Sequence, residues 1–112
     1  ESAKLTVDGQ VGKPGLHPVV PNMTLIQAIA TAEGTTENAR LNEVVVFRTV
    51  NGQKYAALYN LGAIRRGNYA DPSVFANDTI VVGDSPARRL FRDFIQIIPL
   101  LTTPIVVAFQ NR

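Results

Sequence analysis

Few side chains in this 112-residue sequence have a type and spacing that can do bond chemistry. His17 is the single histidine, set between Leu16 and Pro18. A metal would need further ligands at regular spacing, and the scattered carboxylates supply none, so His17 reads as a surface or half-buried hairpin residue. Asp71 and Asp78 lie in a region of turn residues, where turn-forming and capping roles explain them better than a general acid and base. Ser2, Ser73 and Ser85 have no flanking base or oxyanion motif. Gly9, Gly12 and Gly15 precede a strand pattern rather than a helix, which argues against a phosphate-cradling loop. The sequence contains no cysteine, which excludes disulfides, thiol catalysis and cysteine-bound metals while leaving the compartment open. These residues point away from an enzyme and imply no metal and no cofactor.

The remaining candidates bind without reacting. Tyr55, Tyr59 and Tyr69 can stack on sugar rings, although half-buried sheet and loop positions are the commoner role of tyrosine. Arg65 and Arg66 stand before Gly67-Asn68-Tyr69 and read as a solvated loop or as half of a salt bridge between subunits. Nucleic acid is a poor partner for this chain. The net charge is only +2, and basic residues cluster only at Arg65-Arg66 and Arg88-Arg89-Arg92.

These residues must be positioned by one modest domain. Hydrophobic residues make up 46% of the chain and charged residues 18%, a globular balance. Leu5 and Val7 alternate with Lys4, Thr6 and Asp8, the period of a half-buried strand over Lys4–Gln10. A short second strand follows around Leu16–Val20, confined to an edge by Pro18 and Pro21. The run from Asn22 to Gly34 is helical: Asn22 or Thr24 caps it, Leu25, Ile26, Ile29, Ala30 and Ala32 form its apolar stripe, and Gly34 suits a left-handed end. Glu43–Val50 and Lys54–Tyr59 are β-prone and flank Asn51-Gly52, the strongest short hairpin signal. A helical turn at Leu61–Ile64 ends at Gly67, and Thr79–Val82 reads as the last strand. The order predicts an α+β fold, a β-grasp-like mixed sheet packed on one main helix, over residues 4–84.

The sequence changes character at residue 85. Ser85 is a good N-cap and Pro86 suits a first helical position. As a helix from Pro86 to Phe109, the segment would carry Arg89, Arg92, Gln96 and Thr103 on one side. Leu90, Phe91, Phe94, Ile98, Leu101, Ile105 and Phe109 would fall on the other. Its length, about 35 Å, suffices for a bilayer core, while Pro99 and Pro104 would kink it. Residues 85–112 therefore read as an amphipathic, membrane-spanning segment. Glu1-Ser2-Ala3 has none of the features of a signal peptide and reads as the edge of a longer chain.

Several blocks in order resemble a known family. Val7-Asp8-Gly9-Gln10-Val11, Lys13-Pro14-Gly15, Met23–Ala30 through Ala32-Glu33-Gly34, and Val45-Val46-Phe47-Arg48 are similar to the SLBB (soluble-ligand-binding β-grasp) domain of Wza-like outer-membrane polysaccharide export proteins. Asn60–Ile64 and Asn77–Val82 resemble its later blocks. Glu33-Gly34 stands where the family commonly has Gly-Gly, and Asn77-Asp78 where it has Gly-Asp; asparagine tolerates the left-handed turn required there. The resemblance implies a fragment of a ring-shaped homo-oligomer at the periplasmic face of the outer membrane of a Gram-negative bacterium. It would export capsular polysaccharide or exopolysaccharide as cargo and contact an inner-membrane co-polymerase or kinase. The domain would act in ring assembly, with Tyr55, Tyr59, Arg65, Arg66 and Tyr69 as sugar or subunit contacts. In the tail, Arg89, Arg92, Gln96 and Thr103 would face the lumen, and the apolar side the outer-membrane lipid. A soluble carbohydrate- or small-ligand-binding module without channel activity is the alternative reading.

Overall fold

A computed structural model of the chain describes residues 3–83 and the strand at residues 105–109. Strands β1 (Lys4–Gly9) and β2 (Gly15–Pro18) form the first hairpin, and helix α1 (Leu25–Thr31) follows. Strands β3 (Val44–Val50) and β4 (Gln53–Tyr59) form a second hairpin, followed by the short helix α2 (Leu61–Arg65) and strand β5 (Thr79–Val82). These five strands lie in the order β2-β1-β5-β3-β4, and β6 (Ile105–Phe109) adds to the outer edge of β4. The sheet is mixed: β1 is parallel to β5 and β4 to β6, while the other neighbours are antiparallel.

The local chemistry of α1 explains its limits. The helix begins at Leu25, three residues after Asn22, because Asn22 holds a positive φ of 63° and Thr24 takes the cap. Thr24 Oγ1 accepts from the Gln27 N–H, and Gln27 Oε1 accepts from the Thr24 N–H at 3.0 Å, a reciprocal capping box. A second anchor comes from far along the chain: Asp71 Oδ1 accepts from the Ile26 N–H at 3.1 Å, and the Pro72 carbonyl from the Leu25 N–H at 2.8 Å. At the other end Glu33 and Gly34 are both left-handed, at φ 68° and 76°. The Gly12 N–H donates to the Gly34 carbonyl and the Lys13 N–H to the Ala32 carbonyl, so the 10–14 loop satisfies acceptors beyond the end of the helix.

The core lies between α1 and one face of the sheet. Leu5 and Val7 of β1, Val44 and Val46 of β3, and Ile80 and Val82 of β5 pack with Leu25, Ala28 and Ile29. Full burial of a side chain of this size is worth about 2 kcal/mol, so these positions supply most of the favourable free energy. Val45, Ala56 and Leu58 form a second buried cluster, with Phe47 against it. Val45 and Phe47 alternate with Val44 and Val46 along β3, which places this cluster on the opposite face. Burial on both faces explains why Val44-Val45-Val46-Phe47 is a continuous apolar run rather than an alternating one. The β3–β4 hairpin closes through Asn51 and Gly52, at φ 53° and 78°, with Val50 opposite Gln53.

The tail departs from its expected form where it is described. Ile105–Phe109 are a strand, parallel to β4 with Lys54 opposite Ile105 and Leu58 opposite Phe109. Thr79–Val82 is therefore not the last strand. The physical reason is local: Pro104 interrupts any helix, and the β-branched Ile105-Val106-Val107 suit a pleated ladder. The rest of the expected membrane-spanning segment, with Arg89, Arg92, Gln96, Thr103, Leu90, Phe91, Phe94, Ile98 and Leu101, lies outside the described residues. Among the described residues no helix is long and apolar enough to cross a membrane.

Two backbone positions give opposite expectations for stability. A Cβ on Gly9 would sit 2.0 Å from the Val82 carbonyl oxygen, and Gly9 is at φ 87°. The Gly9→Ala variant is expected to lose about 3 kcal/mol, the sum of left-handed strain and a clash with a sheet neighbour. Glu33, a non-glycine residue in the left-handed region, carries strain that glycine would relieve. Glu33→Gly is expected to gain about 0.5 kcal/mol after the entropy cost of glycine is deducted. Urea midpoints at a constant m-value check both.

Candidate functional site

The alternation of β3 and β4 brings polar side chains to one end of the core face. Val44 and Val46 point at α1, and the next residue in that row is Arg48. Across the hairpin Arg48 pairs with Tyr55, Val46 with Ala57 and Val44 with Tyr59. Tyr55, Ala57 and Tyr59 therefore share the Arg48 face. Where the core ends, these residues line a groove of about 240 Å³, with Val46 and Val50 as its apolar flank. Ala57 opens it, since a larger side chain between the two tyrosines would fill the floor.

Arg48 is held in place by an unusually complete set of partners. Its Nε donates to Asp78 Oδ1 at 2.9 Å, and its Nη2 donates to Asp78 Oδ2 at 2.8 Å and to the Ser73 carbonyl at 3.2 Å. The guanidinium carbon lies 4.6 Å from the centroid of the Phe75 ring, within cation–π range. Asp78 has no side-chain exposure, against 30% for Arg48. Its second oxygen also accepts from the Phe75 N–H at 2.8 Å, which tightens the 75–78 turn. Asn77 in that turn is left-handed, at φ 71°, as its sequence position requires. The bonds to Asp78 push Arg48 above its already high ordinary pKa, against the opposing effect of burial. Tyr59 is raised mainly by burial, although the nearby Arg48 charge works the other way.

The sequence-derived candidates separate in space. Tyr55 and Tyr59 meet in the groove. Tyr69 instead packs against the main core, and Arg65 and Arg66 are exposed at the end of α2, outside the groove lining. Asp71 and Asp78 have no acid–base geometry: one tethers α1 and the other holds Arg48. His17, expected at the surface or half-buried, is buried at 7% exposure, because its row on β2 faces Leu5. Its Nε2 donates to the Lys13 carbonyl at 2.7 Å and so ties the hairpin loop. Among the described residues no group of three or more potential ligands is arranged to hold a metal ion. Arg48 is the groove residue that sequence reasoning missed. The signal was present, since a charged side chain follows Val44 and Val46 in the inward row and must find a buried partner.

Two variants test the electrostatics of the site. Asp78→Asn leaves Arg48 without its charge partner while partial exposure lets the guanidinium regain water, so the expected loss is about 2 kcal/mol. Tyr59 has a folded pKa above its unfolded one. Its contribution to stability is therefore complete below the unfolded value, about 10, and is lost as pH rises through the folded value. Chemical unfolding measured between pH 9 and 11 (an interval set around that value) should show stability falling in the native chain, with a smaller fall in Tyr59→Phe.

No curated protein matches the chain. Residues 4–57, from the start of β1 to Ala57 at the floor of the groove, match the SLBB domain family.

Proposed function

We propose that this chain is a non-enzymatic β-grasp module that binds carbohydrate, and that the Arg48–Tyr55–Tyr59 groove is its contact surface. The observation that carries the reading is the juxtaposition, on a domain matching the SLBB family, of two tyrosines with a rigidly held arginine in an open trough. Aromatic faces take the C–H side of a pyranose ring, and the phenol and guanidinium groups orient its oxygens. At about 240 Å³ the trough is smaller than the roughly 300–1,000 Å³ of pockets that enclose a whole small molecule. It suits one part of a longer chain that continues on both sides. Such a polymer agrees with the similarity to polysaccharide export proteins.

In the wider setting, the module would belong to a homo-oligomeric ring at the periplasmic face of an outer membrane. Polysaccharide would be its cargo, and an inner-membrane co-polymerase or kinase a further partner. The pattern of Arg89, Arg92, Gln96 and Thr103 opposite Leu90, Phe91, Phe94, Ile98 and Leu101 supports a pore-lining or anchoring role for the tail. That role requires β6 to leave β4, so the ligand-binding reading is the one with direct geometric support.

Titration of the 15N-labelled chain with a panel of oligosaccharides, neutral and acidic, tests the module. Saturable amide shifts confined to β3 and β4 are expected, and Tyr55→Ala should weaken binding about tenfold, the worth of one stacked ring. Shifts scattered over the surface without saturation would refute it. For the wider setting, the full-length protein extracted in detergent should migrate as a ring oligomer; a monomer would remove the channel while leaving the module.

A further inference from the structure

We propose that the groove selects an acidic glycan, with a sugar carboxylate held by Arg48 and its ring laid on Tyr55. This rests on the reading of the groove as a saccharide site and names the class of sugar. Among the described residues, the polar side chains lining the groove are Arg48, Tyr55 and Tyr59. Together they offer the N–H groups of Arg48 Nη1, which take no part in the Asp78 and Ser73 bonds, and two phenolic O–H groups. Among the described residues the carboxylate beside them, Asp78, is fully buried behind the guanidinium with both oxygens engaged. The phenol groups both donate and accept, so they serve neutral and acidic sugars alike. Arg48 Nη1 can only donate, and a carboxylate, which only accepts, is the sugar group that matches it best.

Preorganisation points the same way. The hollow of about 120 Å³ that holds Lys54 with Phe47 and Thr49 lies on the opposite face of the sheet, so among the described residues Arg48 is the cation that faces the groove. The Asp78 bonds fix the direction of Nη1 in advance, which lowers the ordering cost of binding an anion.

The test compares an oligogalacturonate with the same oligomer after its carboxyl groups are reduced to hydroxymethyl groups, each titrated into the 15N-labelled 112-residue chain. The acidic oligomer should shift the Arg48, Val50, Tyr55 and Ala57 amides saturably. The reduced oligomer should bind about tenfold more weakly or worse, the range of a lost charge-assisted hydrogen bond. Lys54→Gln, on the opposite face of the sheet, should leave the preference for the acidic oligomer unchanged, and loss of that preference in this variant would overturn its assignment to Arg48. Equal affinity for the two oligomers would overturn the acidic selectivity and leave the saccharide site standing. Acidic binding that maps to Arg65 and Arg66 would also overturn it. If neither oligomer perturbs the groove, the saccharide reading falls with it.

Discussion

Asp78 is the constraint on which the rest of the domain hangs. Its carbonyl accepts from Thr6 of β1, its amide donates to Phe75, and its buried side chain takes two bonds from Arg48 of β3 and one from the Phe75 N–H. One residue thus joins the start of β5 to the strands on both sides of it and closes the turn that delivers β5 to the sheet. Burying a carboxylate costs several kcal/mol unless every lone pair is used. Here the cost is offset by a bidentate ion pair and a backbone donor, so the network is an all-or-none arrangement. A one-residue slip of β5 would leave Arg48 facing no carboxylate and Asp78 buried without a partner. The pair therefore fixes register as much as it adds stability.

The same constraint shapes the groove. An unanchored arginine at the end of an apolar face would swing into water and fill the space beside Tyr55 in many orientations. Held side-on by Asp78 and backed by Phe75, its guanidinium becomes a fixed wall with one amino group turned away from the carboxylate. Lysine cannot do both tasks. Its single nitrogen would be consumed by Asp78, and it has no second group to present to a ligand.

Most of the fold was legible because local signals agreed with tertiary demand. Asn51-Gly52 dictated the hairpin, Thr24 with Gln27 capped the helix, and Gly9 sits where the backbone of β5 comes within reach. Where sequence and structure part, the causes are equally physical. An edge hairpin usually exposes one row, which leaves His17 at the surface or half-buried in sequence terms, whereas β2 turns that row onto Leu5. Tyr69 takes the half-buried loop role that is commoner for tyrosine, folded onto the core by the loop before β5. Arg48 was read as part of a family block, since nothing in its neighbourhood shows that its partner lies thirty residues later. Ile105–Phe109 fit a helical stripe by period, yet their β-branched composition favours the ladder once β4 offers an open edge.

That last strand decides what the tail can do. β5 ends beside Val44, opposite Tyr59, whereas β6 begins beside Lys54 at the other end of the same hairpin. β5 and β6 both run parallel to β4, so Val82 and Ile105 lie at opposite ends of the same sheet. A single crossing of a membrane by residues 85–109 and the pairing of β6 with β4 of the same chain are mutually exclusive. A pore-forming state would strip the ladder from β4 and leave the backbone groups of Lys54–Leu58 unpaired. Such an edge is open to pairing with another strand, and in the proposed ring a neighbouring subunit would supply one. Membrane insertion and subunit assembly would then be one coupled event, with β4 as the strand that has to change partners.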